Sequence, residues 1–276
     1  MDFAELLKAL ILGIVEGITE WLPVSSTGHM ILVDEFIRMK VSPEFKEMFL
    51  VVIQLGAIMA VVVLYFRKLF PFSEENGKVY IKKETLTMWM KIIVSCIPAA
   101  IVGVFFDDEI DALFYNWQTV SIMLILFGVL FLVIERGNKK RVPIMDTIES
   151  LTFRAAIWIG VFQLIAAVLP GTSRSGATIL GALLIGVSRT AAAEYTFFLA
   201  VPVMLGASAL KLFKFGFDFS SGELAILAVG LLSAFVVSVL SIKFLMGYIK
   251  KHDFTAFGWY RIFLGIAVVL CFSLAV

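Results

Sequence analysis

Six long apolar segments limit what this chain can fold into. Each is close to the roughly 20 residues that a helix needs to cross a bilayer. The segments are 48–66, 88–106, 119–134, 193–213, 223–246 and 256–275. Of the 276 residues, 61% are hydrophobic and 16% charged, whereas soluble domains have about 45–50% apolar and about 25% charged residues. We therefore expect one multi-pass membrane domain over 1–276, surrounded by the lipid bilayer. The net charge of +1 argues against nucleic acid as a partner.

Two further apolar stretches, 4–37 and 153–187, are each interrupted by a proline followed by serine, threonine and glycine. Their halves, such as 6–15 and 30–37, are too short to span a membrane alone. Irregular backbone at membrane depth is tolerated only where protein buries it or where it lines a cavity. The sequence therefore predicts two re-entrant helix hairpins whose polar tips lie near the middle of the membrane.

The two interruptions resemble each other at a constant offset, which is 170 − 23 = 147 for their prolines. The offset pairs Leu22-Pro23 with Leu169-Pro170, Gly13 with Gly160, Glu16 with Gln163, Ser26 with Ser173, and Glu47 with Glu194. This pattern predicts an all-α polytopic membrane protein with two repeats, 1–135 and 150–276, each a re-entrant hairpin plus three transmembrane helices. Because three is odd, the second repeat is expected to be inverted, with the site where the broken helices meet.

The charges of the loops predict the orientation in the membrane. Lysine and arginine cluster in the loops 67–91, 135–154 and 243–255. The loop 107–118 has four acidic residues and no lysine or arginine. The positive-inside rule places the basic loops in the cytoplasm and the acidic loop outside. Both termini and the entry of the first hairpin are then outside, and the second hairpin enters from inside. Lys211 and Lys214 fit this poorly, since their loop is predicted to be outside.

The first interruption places two carboxylates in an apolar segment. Glu16 and Glu20 are four residues apart and share one face of a helix. Each costs at least about 2.5–3.5 kcal/mol at the centre of a membrane helix. They form either a structural hydrogen bond or ion pair between helices, or they serve as a metal ligand or general base. Gly13 and Gly17 share the same spacing and are expected to let another helix approach closely.

Hydroxyl groups follow Pro23, which ends the first half-helix. Ser25, Ser26 and Thr27 lie where a second half-helix, beginning near Gly28, would be capped. One hydroxyl suffices for a cap, whereas three with a glycine form a group of donors that favours phosphate at a helix N-terminus. His29 is one of two histidines in the chain. A lone histidine is usually structural, but beside Ser26 and two glutamates we expect it to take part in chemistry.

The second interruption repeats the proline, glycine and hydroxyl pattern and adds Arg174. No acidic residue lies within a dozen positions of this arginine. Its planar guanidinium suits two phosphate oxygens, and the alternative is a structural pair with Glu16 or Glu20. Together the tips would supply anion-binding groups, a nucleophile and a base, which phosphoryl transfer requires. In the last span, Trp259 and Tyr260 are predicted interfacial anchors, and the sequence gives no explanation for Arg261.

Residues 16–29 and 170–178 match throughout the two signatures of the bacterial undecaprenyl-diphosphate phosphatase family of the bacitracin-resistance type. The resemblance extends over essentially the whole chain. It implies hydrolysis of a polyprenyl diphosphate lipid, undecaprenyl diphosphate, to the monophosphate carrier reused in peptidoglycan synthesis, and bacitracin resistance. It also implies a divalent cation, Mg²⁺ with Ca²⁺ as the alternative, and action at the outer face of the inner (plasma) membrane. Whether the protein forms a homodimer is left open.

The resemblance also implies roles for individual residues. The catalytic positions are Glu16, Glu20, Ser26, His29 and Arg174, with Glu16 and Glu20 as metal ligands. The substrate-binding positions are Ser25, Thr27, Gly28, Gly171, Thr172, Ser173, Ser175, Gly176 and Thr178. Ser26 is the preferred nucleophile, and His29 is the competing nucleophile or the acid for the leaving group. The sequence leaves open which glutamate is the base and which the metal ligand.

Three other functions remain to be weighed. Inverted repeats with broken helices are also a transporter design, so a lipid-phosphate transporter or flippase is the first alternative. A second class of lipid phosphatase needs a histidine after Ser173-Arg174, but the next one is the distant His252. A non-catalytic membrane scaffold would not explain glutamates and an arginine inside apolar hairpins.

Overall fold

A computed structural model of the protein describes residues 3–75 and 78–274. Within these ranges the side chains of five acidic residues are not described. They are Asp34, Glu75, Asp107, Asp108 and Asp111. The predicted positions of the two termini, and three of the four acidic side chains in the loop 107–118, therefore lie outside the described residues.

The architecture is almost entirely helical. The helices are α1 (Phe3–Thr19), α2 (Ser26–Ile37), α3 (Pro43–Val52), α4 (Gln54–Leu64), α5 (Phe66–Leu69), α6 (Lys83–Phe105), α7 (Asp107–Phe114), α8 (Trp117–Asn138), α9 (Phe153–Val168), α10 (Arg174–Leu184), α11 (Arg189–Phe215), α12 (Ser221–Tyr248) and α13 (Thr255–Leu274). Between α5 and α6, strands β1 (Phe72–Glu75) and β2 (Lys78–Ile81) form an antiparallel ribbon with Phe72 opposite Ile81. This ribbon lies in the loop 67–91, where the sequence predicted no strand.

Six helical segments among the described residues are long and apolar enough to cross a membrane. They are Pro43–Leu64, Lys83–Phe105, Trp117–Asn138, Arg189–Phe215, Ser221–Tyr248 and Thr255–Leu274. The first consists of α3 and α4 with a short break at Ile53. Large apolar side chains such as Leu232 and Phe263 are exposed on these helices, as expected where lipid is the solvent. The predicted all-α polytopic fold is confirmed.

The two interrupted stretches form helix pairs, α1–α2 and α9–α10. Each pair is joined by a short segment that contains the proline of the motif and one of its serines, Ser25 in the first and Ser173 in the second. The helices are longer than the apolar halves predicted, because α1 continues to Thr19 and α2 already begins at Ser26. A helix keeps its backbone hydrogen bonds when polar side chains replace apolar ones, provided that protein buries those side chains. Several motif residues therefore lie on helices.

Each helix pair packs mainly against a helix from the other half of the chain. α1 packs along α12, and α9 packs along α6. α8 and α13 also pack along each other. The offset found in the sequence relates the α1–α12 contact to the α9–α6 contact, so the pairing agrees with two related halves. The inverted orientation of the halves and the repeat boundaries 1–135 and 150–276 stay predictions.

Two of the ion pairs between the halves involve residues that the offset relates. Lys211 Nζ donates to Glu47 Oε1 at 2.6 Å, and Lys68 Nζ donates to Glu194 Oε1 at 2.5 Å. Glu47 and Glu194 are partners under the offset, and each receives a lysine from the other half. The Glu47 pair accounts for Lys211, which fits the loop-charge rule poorly.

The contact between α1 and α12 depends on glycines. A Cβ atom on Gly13 would lie 1.9 Å from Ser233 Oγ and 2.5 Å from the Gly230 carbonyl oxygen. A Cβ on Gly17 would lie 2.8 Å from the Ala234 carbonyl oxygen. The close approach predicted from the spacing of Gly13 and Gly17 is confirmed, and α12 is the helix that approaches.

Replacing Gly13 by valine is expected to destabilise the protein by about 1–3 kcal/mol, because the added side chain forces α1 away from the backbone of α12. The measurement is the midpoint of thermal unfolding in detergent. Gly247→Ala is the control, since Gly247 lies near the end of α12 and a Cβ there would meet nothing within 4 Å. An unchanged midpoint in Gly13→Val would contradict this packing.

Candidate active site

The two hairpin tips share an unusual backbone conformation. Ser25 has φ +74° and Ser173 has φ +70°, a region that non-glycine residues rarely adopt. Both serines cap the helix that follows, because Ser25 Oγ accepts from the Gly28 amide at 3.2 Å and Ser173 Oγ accepts from the Gly176 amide at 3.1 Å. Strained backbone of this kind concentrates at functional sites, and here it begins both helices of the predicted site.

The caps correct the predicted alignment of the two tips. The sequence paired Ser26 with Ser173, but the residue that caps like Ser173 is Ser25, an offset of 173 − 25 = 148. The second tip is one residue longer after its proline. It contains Gly171 at φ +87°, where a Cβ would lie 2.5 Å from the Val120 carbonyl oxygen. When the tips are aligned by their capping serines, the first helical residue is Ser26 in the first tip and Arg174 in the second.

The tips contact each other directly, as predicted. Arg174 Nη2 donates to Glu20 Oε1 at 2.9 Å, and its Nη1 donates to the Thr196 carbonyl at 3.0 Å. Ser175 Oγ donates to the Glu20 carbonyl at 3.0 Å. The structural pair between Arg174 and Glu20, which the sequence left as an alternative, is therefore present, and it joins the two halves of the chain.

Glu20 also binds the candidate nucleophile. Ser26 Oγ donates to Glu20 Oε2 at 2.9 Å, while the other carboxylate oxygen accepts from Arg174. A hydroxyl within hydrogen-bond reach of a carboxylate, which a third group holds in place, is the arrangement of an activated nucleophile. The geometry thus favours Glu20 as the base and Arg174 as the group that orients it.

Glu16 lies one turn before Glu20 on α1 and is almost fully buried. Its Oε1 has no hydrogen-bond partner among the described residues. Buried polar atoms in native proteins nearly always have a protein, water or ion partner. The Glu16 oxygen is therefore available to a water molecule or an ion.

The two glutamates fit a hard divalent cation. Mg²⁺ is commonly held by one or two carboxylates together with substrate phosphates rather than by a full protein cage. No group of three histidine, cysteine, aspartate or glutamate side chains suited to a metal occurs in the part of the chain that the structure describes. The unpartnered Glu16 oxygen and the adjacent Glu20 agree with a metal that takes its remaining ligands from substrate and water.

The hydrogen bonds of His29 define its tautomer. Nδ1 lies 2.7 Å from the Ser25 carbonyl oxygen, which only accepts, so Nδ1 carries the proton. Nε2 lies 2.7 Å from the hydroxyl of Tyr260, which donates to it when the ring is neutral. The two rings are nearly parallel, at 8°. The interfacial-anchor interpretation of Tyr260 missed this contact with the candidate site.

The remaining predicted residues surround this centre. Thr178 Oγ1 donates to the Arg174 carbonyl at 2.8 Å and shares a hydrogen bond with the Thr196 hydroxyl. These bonds connect the backbone of Arg174 to α11. Thr172 is fully buried and its hydroxyl has no partner among the described residues. Thr27 is half-buried in the first turn of α2. A Cβ on Gly28 would lie 3.0 Å from Leu124, so this glycine allows close packing.

Sequence reasoning missed one residue at the centre of the site. Arg261, on α13, is fully buried and donates to the carbonyls of Pro23, Gly171 and Thr172. It therefore holds both tips. The signal was present in the sequence, because an arginine inside an apolar span is rare and usually functional.

Comparison with known proteins shows the family of this chain. The family model described as bacitracin resistance protein BacA matches residues 9–267, which include both hairpin tips. The chain belongs to the BacA family. Relatives in this family align over nearly the full length of the protein. They are undecaprenyl-diphosphatase 1 of Clostridium acetobutylicum (69% identity, 99% of each chain), and the undecaprenyl-diphosphatases of Desulfitobacterium hafniense (65% identity, 99% of this chain and 98% of the relative) and Acetivibrio thermocellus (63% identity, 97% and 98%). Membership in the BacA family and six apolar helices identify a multi-pass membrane protein.

Proposed function

We propose that the protein hydrolyses undecaprenyl diphosphate to undecaprenyl phosphate and inorganic phosphate, and thereby recycles the carrier lipid of peptidoglycan synthesis and gives bacitracin resistance. One observation carries the proposal: Ser26, Glu20 and Arg174 form a continuous hydrogen-bonded group across the two tips. Relatives 63–69% identical over nearly the whole chain are named undecaprenyl-diphosphatases, which supports the same substrate here.

In the proposed mechanism Ser26 Oγ attacks the terminal phosphorus and Glu20 accepts its proton. The bond between this phosphorus and the bridging oxygen breaks, and undecaprenyl phosphate leaves. Water then attacks the phosphoserine and the bond between phosphorus and Ser26 Oγ breaks. Glu20 returns its proton to Oγ, and one proton of the water passes to the solvent as hydrogen phosphate leaves. Arg174 stabilises the charge on the phosphate oxygens during both steps. The Oγ–Oε2 distance of 2.9 Å already permits the first proton transfer.

The surroundings of His29 favour Ser26 as the nucleophile. In neutral His29 only Nε2 has a lone pair that could attack phosphorus. That lone pair accepts a hydrogen bond from the Tyr260 hydroxyl. The Ser26 hydroxyl instead faces a carboxylate that can take its proton. We assign His29 to protonation of the leaving group, which it would perform as the imidazolium, with Nε2–H donating to Tyr260 and the Tyr260 hydroxyl donating to the leaving oxygen. Its role as the nucleophile is the alternative.

Glu16 and Glu20 would hold the divalent cation, Mg²⁺ or alternatively Ca²⁺. When bound, it would neutralise negative charge on the diphosphate. The unpartnered Glu16 oxygen supports this assignment. Ser25, Ser173 and Ser175, with the amide groups of the first turns of α2 and α10, would surround the phosphate oxygens.

Removing divalent cations with a chelator is expected to lower the rate of phosphate release about 100-fold or more, because the diphosphate charge then lacks its main counter-charge. Added Mg²⁺ should restore the rate. Glu16→Gln should raise the Mg²⁺ concentration needed for half-maximal activity, whereas Glu223→Gln, at the exposed capping box of α12, serves as the control. Full activity in chelator would contradict a metal-dependent site.

The proposed location is the bacterial inner (plasma) membrane, with the site open to the outer face and both termini outside. The basic loops 67–91, 135–154 and 243–255 support this orientation through the positive-inside rule. A homodimer, which the sequence leaves open, is not part of this proposal.

Phosphate release from a soluble prenyl diphosphate by the purified protein in detergent tests this function. A transporter or flippase, the second candidate, is favoured only by the two broken helices, and it would bind the headgroup without cleaving it. Detergent removes the two sides of the membrane, so transport cannot produce phosphate there. Metal-dependent release supports the phosphatase; folded protein that binds the substrate without releasing phosphate would favour the transporter.

A further inference from the structure

Arg261 occupies the space between the two hairpin tips and contacts both. Its Nη1 donates to the Pro23 carbonyl at 3.3 Å, and its Nη2 donates to the Gly171 carbonyl at 2.9 Å and the Thr172 carbonyl at 2.7 Å. These are the loops that precede Ser26 and Arg174. A single guanidinium on α13 therefore connects the first tip to the second, in addition to the Arg174–Glu20 pair.

The charge of Arg261 has no carboxylate partner among the residues that the structure describes. All three of its acceptors are main-chain carbonyls, and its Nε has no acceptor. Arg174 and Arg189 differ, because they pair with Glu20 and Glu135. A buried charge without a counter-charge costs several kcal/mol. Arg261 is fully buried, so a counter-charge from a bound anion would remove a large part of that cost.

The surroundings of Arg261 belong to the candidate phosphate site. A Cβ on Gly176, in the first turn of α10, would lie 2.7 Å from Nη1. The unpartnered hydroxyl of Thr172 is on a residue whose carbonyl Arg261 binds. Hydrogen bonds alone would suffice to hold the two loops together. A buried positive charge without a counter-charge is not needed for that purpose.

We propose that Arg261 is a positioning residue and the second cation of the diphosphate site, with the substrate headgroup as its missing counter-charge. This inference rests on the proposed function for the identity of the anion. It predicts that Arg261 discriminates ligands by charge and favours a diphosphate over a monophosphate. A residue that only fastened the tips would affect both ligands equally.

The test is a comparison of dissociation constants for two non-hydrolysable lipids, a farnesyl diphosphonate and a farnesyl monophosphonate. Arg261→Met should weaken diphosphonate binding at least about 30-fold, and monophosphonate binding clearly less. Arg261→Lys keeps the charge without the fork and should restore most of the preference for the diphosphonate. Arg141→Met is the control, since Arg141 is an exposed arginine in the loop after α8 that donates to the Leu184 carbonyl, away from the two tips. Equal weakening for both ligands would overturn the inference.

Phosphate release by the wild type, measured in parallel, separates this inference from the proposed function. Suppose that the wild type releases phosphate and that Arg261→Met weakens the binding of both ligands equally. This result would overturn the inference about Arg261 and leave the proposed phosphatase function intact. No release together with selective weakening of the diphosphonate would remove the phosphatase and keep Arg261 as an anion-binding residue.

A measurement on the wild type covers the case in which Arg261→Met does not fold. In protein labelled with ¹⁵N-arginine, the Arg261 Nε–H resonance is assigned as the one missing from Arg261→Lys. Adding the diphosphonate should shift this resonance more than adding the monophosphonate, because the larger counter-charge lies close to the guanidinium. A resonance that neither ligand moves would overturn the inference.

Discussion

Replacing Arg174 by alanine is expected to lower the rate of phosphate release about 10³-fold or more, as for other arginines that stabilise phosphoryl transfer. The guanidinium has two roles in this structure. It orients Glu20 through the 2.9 Å contact with Oε1, and through Glu20 it is linked to the hydroxyl of the candidate nucleophile. Its removal also leaves the buried Glu20 without its ion-pair partner. The initial rate of phosphate release from farnesyl diphosphate measures the effect.

Two variants control this experiment. Arg141→Ala removes an exposed arginine in the loop after α8, which donates to the Leu184 carbonyl at the far end of α10 from Arg174, and it should keep the wild-type rate. Arg174→Lys keeps the charge but not the planar fork, and is expected to recover only a small part of the activity. Wild-type turnover in folded Arg174→Ala would show that this residue is only a structural partner of Glu20.

Replacing Ser26 by alanine is expected to lower turnover about 10⁴-fold or more, since loss of a nucleophile removes the covalent pathway entirely. The substitution deletes only the hydroxyl that donates to Glu20 and should leave the fold unchanged. The measurements are the steady-state rate and the amount of phosphorylated protein trapped by quenching in denaturant at neutral pH, compared before and after treatment with acid. Ser221→Ala, at an exposed position of α12, is the matched serine control.

The chemistry of the trapped intermediate distinguishes the two candidate nucleophiles. A phosphoserine survives acid, whereas a phosphohistidine does not. The account expects acid-stable label in the wild type and none in Ser26→Ala. Acid-labile label that persists in Ser26→Ala and disappears in His29→Ala would transfer the nucleophile to His29, and Glu20 would then lose its assigned role as the base.

Much of the fold follows from features that a sequence shows directly. Six apolar runs predicted six spanning helices, and the proline interruptions at Pro23 and Pro170 predicted the two hairpins. The spacing of Gly13 and Gly17 predicted a close helix contact, although not with α12. The length of an apolar run and the effects of proline and glycine are local properties, so one sequence suffices to recognise them.

The connections between distant residues could not be predicted in the same way. The Ser26–Glu20 contact lies within one motif, but Arg174 reaches Glu20 from 154 residues away, and the sequence only offered this pair as an alternative. Tyr260 and Arg261 lie in the last span without any local motif. Their partners, His29 and the tip carbonyls, are determined by how α13 packs between α2 and α8. Such contacts depend on tertiary packing, which residue spacing does not encode.

The register of the two tips shows a similar limit. The constant offset aligned the prolines correctly and then paired Ser26 with Ser173. The structure instead gives Ser25 and Ser173 the same capping role. A single additional residue, accommodated at Gly171 by a positive φ, changes which residue begins the helix. One tip consequently presents a serine where the other presents an arginine, and this difference makes the joint site chemically asymmetric.

The central claim is that the two hairpin tips form one catalytic unit, and the rate of phosphate release from farnesyl diphosphate tests it most directly. The rate is measured for the wild type, Glu20→Gln in the first tip, Arg174→Ala in the second, and the double variant. Residues that act as a unit have non-additive effects. The account predicts that each single variant is almost inactive and that the double variant is no slower than the slower single variant. A wild-type rate in either folded single variant would contradict a site shared by the two tips.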